Sequence, residues 1–171
     1  IPRGLVDSAY NERRAQCEAA ARHLGVAALR DASMTMLAER RAGLDEVVLR
    51  RARHIVTENQ RTLDAAAALA AGDLRWLGAL MAASHASMKD DFEITVPGID
   101  QLAQLLRDAI GEQGGARLTG GGFGGCVVAL MPAAQAERVR DAVSRGYRSP
   151  GGQPGTVHVC EVAAGVGLLR V

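Results

Sequence analysis

Aromatic side chains are scarce in this chain: two Phe, two Tyr and one Trp make up 3% of its 171 residues. Its core must therefore be assembled from Ala, Leu and Val. An excess of one charge is lacking too, since 20 Lys and Arg against 19 Asp and Glu leave a formal net charge of +1. Without a basic stripe interleaved with aromatics, electrostatic binding of nucleic acid is excluded. No apolar run approaches the ~18 residues of a membrane span, and no signal peptide opens the chain, so no membrane partner is expected. Cysteine is sparse, with Cys17, Cys126 and Cys160 far apart and odd in number. Neither a disulfide framework nor a zinc spacing results, and a reducing, cytoplasmic setting is expected. There is no initiator methionine before Ile1-Pro2-Arg3-Gly4, so further sequence is expected upstream.

What is present is apolar periodicity. Hydrophobic residues reach 48% against 23% charged, the balance of a folded domain. Val6, Tyr10, Arg13, Cys17, Ala20 and Leu24 recur at steps of three and four, with Gly25 as a stop. Leu44, Val48, Ala52, Ile55, Leu63, Ala66 and Ala70 extend a helix to Gly72-Asp73, which stops one helix and caps the next. That next helix carries Leu74, Leu77, Met81, Ser84 and Met88 on one face, and the short connection makes an antiparallel helical hairpin. Pro97 opens a further helix with Ile99, Leu102, Leu106, Ala109 and Ile110. Arg40, Arg41, Arg50, Arg51 and Arg53 alternate with Glu39, Asp45 and Glu46 and read as a solvated face.

The period changes after residue 115. Ala116–Thr119 and Cys126–Met131 are strand candidates, Ala133–Arg145 is helical, and Thr156–Val162 alternates as a half-buried strand, with Gly167–Val171 adding another. The fold class expected is α+β, a helical hairpin and further helices packed on a small, mostly antiparallel sheet. No repeat or linker divides the chain.

Between the first two strands, Gly120, Gly121, Gly122, Gly124 and Gly125 leave Phe123 as the one side chain in six positions. Each glycine costs conformational entropy, and a plain turn needs only one or two of them. Successive free N–H groups of such a loop can form a nest for an anion. Gly120, Gly122 and Gly125 match G-x-G-x-x-G, but a dinucleotide loop must open a helix, and Cys126–Met131 reads as a strand. A Walker-type loop needs Lys-Ser or Lys-Thr after its last glycine, where this chain has Cys126-Val127.

The stretch Ala116-Arg117-Leu118-Thr119-Gly120-Gly121-Gly122-Phe123-Gly124-Gly125-Cys126 resembles the third motif of the GHMP small-molecule kinases, in its galactokinase form. Asn11-Glu12-Arg13-Arg14-Ala15-Gln16-Cys17-Glu18 and Ser84 to Asp100 are similar to two further galactokinase segments. Gly98 departs from that pattern, where the family usually has an acidic residue.

The resemblance implies a C-terminal kinase domain over residues 1–171, with the N-terminal half of the protein as its partner. It implies transfer of the γ-phosphoryl of ATP, with Mg2+, to the anomeric hydroxyl of galactose. Tyr10 maps onto the family's sugar-contacting tyrosine, although periodicity alone would bury it as a core residue. The five loop glycines map to a supporting position near the phosphates. No catalytic residue and no metal ligand of the family maps onto this sequence, so the chain alone is expected to be inactive. His85, and the acids Asp90, Asp91 and Glu93, are expected to be structural, the acids in a solvated turn. An N-acetylgalactosamine kinase or a non-catalytic sugar-sensing relative are the alternatives.

Overall fold

The computed structural model describes residues 6–161. Helix α1 (Val6–Leu24) ends at the predicted stop: Gly25 takes φ 69°, and the Val26 N–H reaches back to the Ala21 carbonyl at 3.0 Å. A 3-10 turn (Leu29–Asp31) and a short helix α2 (Met34–Glu39) follow, capped by the Ser33 hydroxyl, which accepts from the Met36 N–H at 3.1 Å. Sequence periodicity does not reveal α2, because six residues are too few to establish a stripe. Asp45 caps helix α3 (Glu46–Ala71) by accepting from the N–H groups of Val47 and Val48. Gly72 closes α3 in the left-handed conformation, and Asp73 at once caps helix α4 (Leu74–Asp90) through the Trp76 N–H. With two residues between them, α3 and α4 fold back as an antiparallel pair.

Helix α5 (Pro97–Ile110) starts on proline and leads into strand β1 (Gly115–Thr119), which pairs antiparallel with β2 (Cys126–Leu130). Thr119 faces Cys126 in the register, so the loop between them is the glycine segment itself. A 3-10 turn (Ala133–Gln135) then winds into helix α6 (Ala136–Gly146), which lies on α5.

Three apolar clusters hold these elements. α1, the 3-10 turn, α2 and the first half of α3 share Ala20, Leu24, Leu29, Leu37, Leu49 and Ala52. α5, β1 and α6 share Leu106, Ile110, Ala116, Val139, Val143 and Tyr147. The cluster nearest the glycine loop joins Met88, Ile94, Ile99 and Leu118, with Phe92, Phe123 and Val127 against it. This is the α+β arrangement expected.

Two details differ from the sequence reading. Residues 156–161 form no strand: Val157 and Val159 are both exposed, and among the described residues none pairs with them in a ladder. Alternation marks a segment that fits a sheet, but a strand exists only where a neighbouring edge takes its hydrogen bonds. The expected Gly167–Val171 strand lies outside the described residues. The predicted stripe of α3 also fails in its second half, where Leu63 and Ala66 are exposed and Ala68 is the buried residue. At 26 residues α3 is about 39 Å long. It outruns the α1–α2 cluster, whose buried contacts on α3 end at Ala52 with Ile55 beside it. Among the described residues no helix is long and apolar enough to cross a membrane.

Candidate functional site

The glycine loop is held in backbone conformations that side chains rarely adopt. Gly120, Gly122, Gly124 and Gly125 have φ between 82° and 130°, and Phe123 sits at 57°. Gly122 meets a second constraint: a Cβ there would lie 2.6 Å from the Ile94 Cβ and 2.7 Å from the Ile94 carbonyl oxygen. The adjacent Phe123 N–H donates to that same carbonyl at 2.7 Å. The loop is thereby fastened to the 91–96 segment between α4 and α5. Gly122 and Gly124 are buried, whereas Gly120 and Gly121 are exposed. The five glycines therefore divide, two being packed inward and two presenting bare backbone outward.

Arg13 on α1 touches both halves of this junction. Its Nε donates to the Phe92 carbonyl at 2.7 Å, one terminal nitrogen donates to the Glu93 carbonyl at 3.3 Å, and its guanidinium carbon stands 5.9 Å from the Phe123 ring centre. Glu93, with φ 55°, is held from the other side by Arg50 at 2.8 Å and Arg51 at 2.6 Å. The hydrogen bond from Arg51 leads the causes that draw the Glu93 carboxyl below its usual range. Arg51, 1% exposed, also donates to Gln16 Oε1 and to the Asp91 carbonyl. The arginine face is thus no uniformly solvated surface. Arg40, Arg41 and the far side of α3 meet water, but Arg51 is buried because three acceptors surround its fork. The acids differ from expectation in the same way: Asp91 and Glu93 are ion-paired, while Asp90 is exposed.

The serine and histidine residues of α4 are spoken for separately. His54 Nδ1 donates to Ser87 Oγ at 3.0 Å, because Ser87 gives its own hydrogen to Asp91 Oδ2. The His54 ring stacks on Phe92 at 4.5 Å, and burial pushes its pKa down to about 4. Ser84 donates to Glu58, which Arg61 and Arg117 also reach. Burial alone would raise the Glu58 carboxyl, but the Ser84 and Arg61 hydrogen bonds outweigh it and lower it. The Leu118 N–H donates to His85 Nδ1 at 3.1 Å, so Nε2 carries the proton and donates to Asp100 Oδ1. Burial, helped by the charge of Arg107, keeps the His85 ring neutral by lowering its pKa. His85 ties α4 to β1 and α5. Neither Ser84 nor Ser87 lies against it as a nucleophile would.

Tyr10 stands 56% exposed near the start of α1, and not in the core as periodicity alone predicts. It lies one turn before Arg13, and residues three apart are neighbours on a helix surface. Tyr10 and the glycine loop, 110 positions apart, are thus connected along α1 through Arg13, whose guanidinium meets the Phe123 ring. Sequence reasoning missed Arg13, Arg51 and Ile94 as the parts that join them. Two non-glycine residues with positive φ among those described, Glu93 and Phe123, mark that junction. An open groove of about 750 Å3 lies elsewhere, between α1, the 3-10 turn and α3, and is lined by Cys17, Ala21, Val26 and Ile55.

Among the described residues no three His, Cys, Asp or Glu side chains come together as a metal site. Glu58, Asp91, Glu93 and Asp100 are each engaged by a cation or a histidine. The described residues do not fit Mg2+. Bare backbone at Gly120 and Gly121 does suit an anionic group, which glycine lets approach closely.

The family GHMP kinases C terminal matches residues 65–149 of this sequence. The crystal structure of Lactococcus lactis galactokinase complexed with galactose superposes with a TM-score of 0.80 and 39% sequence identity. The match covers 90% of this chain and 41% of that one, so the chain spans about two fifths of the galactokinase it resembles. The fold, the glycine hairpin and the match in sequence agree, and the chain belongs to the GHMP kinases, whose C-terminal domain it carries.

Proposed function

We propose that this chain is the C-terminal part of a galactokinase, a protein that transfers the γ-phosphoryl group of MgATP to the anomeric hydroxyl of galactose. The observation that carries the reading is 39% identity over 90% of the chain to a galactokinase complexed with galactose. In this reading Tyr10 offers its exposed hydroxyl to the sugar, and Gly120 and Gly121 border the phosphates with backbone alone. Phosphoryl transfer depends chiefly on positioning and charge stabilisation, tasks that a rigid hairpin beside a helix end can share. The base, the phosphate-binding loop and the metal ligands belong to the N-terminal partner half, the counterpart of sequence not found here. The chain by itself is therefore inactive.

Coupled measurement of ADP release tests this directly. The complete protein should turn over with galactose, and the isolated 171-residue chain should not. Turnover by the isolated chain would overturn the division of labour. Turnover of N-acetylgalactosamine in preference to galactose would replace the substrate. Galactose binding without turnover in the complete protein would make it a sensor.

A further inference from the structure

We propose that Arg13 is a positioning residue that sets the glycine hairpin against the helix end carrying Tyr10, an inference that rests on the functional reading above. Its side chain is 12% exposed and donates to the Phe92 and Glu93 carbonyls and to Gln16, with the Glu12 carboxylate 3.3 Å away and that of Glu93 3.9 Å away. Two strained segments meet there. Glu93 holds φ 55° while its carbonyl accepts from Arg13, and Phe123 holds φ 57° beneath the guanidinium. The segments are fastened to each other by the Phe123 N–H on the Ile94 carbonyl and by the close fit of Gly122 on Ile94. Arg50 and Arg51 fix the Glu93 carboxylate to α3. Gln16 of α1 accepts from Arg51 at 3.0 Å, and Arg13 adds the direct contact of α1 with the 92–93 carbonyls and the Phe123 ring, with Tyr10 on α1 one turn away. A planar fork is required, because one group must meet two carbonyls and cover a ring face, which an ammonium cannot do. Without Arg13 the hairpin would keep its link to Ile94, and α1 its Gln16–Arg51 bond, but the direct contact that sets α1 against the hairpin would be lost. Sugar and phosphates would then be held by parts free to shift relative to each other.

The test compares Arg13→Met and Arg13→Lys in the complete protein with Arg14→Met as control. Arg14 is an exposed neighbour paired with Glu18. Both Arg13 variants should lower kcat/KM for galactose about tenfold to a hundredfold, the loss expected of misplacement away from the chemistry. The KM for galactose should carry part of that loss. Amide exchange across Thr119–Cys126 should quicken about tenfold while α5 exchanges as before. Arg14→Met should match the wild type in both. Arg13 variants with wild-type kinetics per folded molecule, or an unchanged hairpin exchange, would overturn the inference while leaving the functional reading intact. Absence of galactose turnover in the wild type would overturn the functional reading and this inference together. If Arg13→Met does not accumulate folded, Phe123→Leu removes the ring but keeps the hydrogen bonds, and the same two readouts decide.

Discussion

Gly78 has no room for one added carbon. A Cβ there would lie 1.9 Å from the Gly114 carbonyl oxygen, and one on Gly115 would lie 2.7 Å from the Gly78 Cα. Helix α4 thus rests directly on the backbone that opens β1. In an ordinary helix interior, Gly→Ala would add about 0.5–1 kcal/mol of stability. Here the obstructing atom is backbone and cannot swing aside, so overpacking prevails and Gly78→Ala should cost about 1–3 kcal/mol, read from the urea midpoint. A neutral or stabilising result would show that α4 can lift off the sheet. Gly122→Val faces the same test against Ile94, together with a φ of 82°. Its loss of melting temperature should be as large as its loss of activity in the complete protein, since the clash is with the fold itself. Activity lost at an unchanged melting temperature would instead place Gly122 against a ligand. The sequence displays the glycine run plainly but not this division of duties. A lone glycine inside a helix pattern, as at Gly78, is a legible anomaly whose partner no local pattern names.

At the scale of elements, α3 departs furthest from its sequence pattern. Its arginines read as surface, yet Arg51 is buried, because the 91–93 turn supplies acceptors that lie about 40 positions away, and His54 is buried against Ser87 and the Phe92 ring. Long-range partners of this kind leave no periodic trace. His54 gives the burial a pH signature. Its pKa, near 6.5 when unfolded, falls to about 4 in the fold, so the unfolded chain binds the extra proton between those values. Stability should be full above pH 6.5 and fall as pH drops toward 4, with His85 acting in the same direction. Glu58 and Glu93, held below their usual range, add their loss only at lower pH, below the 4.5 of a free glutamate. Each fully linked proton contributes about 1.4 kcal/mol per pH unit. Urea unfolding of His54→Gln across pH 6.5 to 4.5 should therefore show a shallower slope than wild type, by up to that amount. An unchanged slope would mean that the His54 ring is already accessible to protons in the fold. The strands teach the complementary lesson. β1 and β2 were legible because the glycine hairpin joins them locally, whereas the alternation in Thr156–Val162 says nothing of where a pairing edge would come from.

For the molecule as a whole, the helical hairpin, the strand hairpin and the family were readable from three motifs in order. Their meeting point was not. The helix that carries Tyr10 is joined to the glycine hairpin through Arg13, Phe92, Glu93 and Ile94, whose motif stretches do not say in sequence that they meet. We propose that Tyr10 contacts the sugar, and steady-state kinetics of Tyr10→Phe in the complete protein tests this most directly. The ring stays and its exposed hydroxyl goes, so folding should be unaffected. Loss of one neutral hydrogen bond costs about 0.5–1.5 kcal/mol, which is up to about tenfold in an equilibrium constant. The KM for galactose should rise by that order while the KM for ATP stays nearly unchanged. Unaltered galactose kinetics, or an equal rise in both constants, would contradict the assignment.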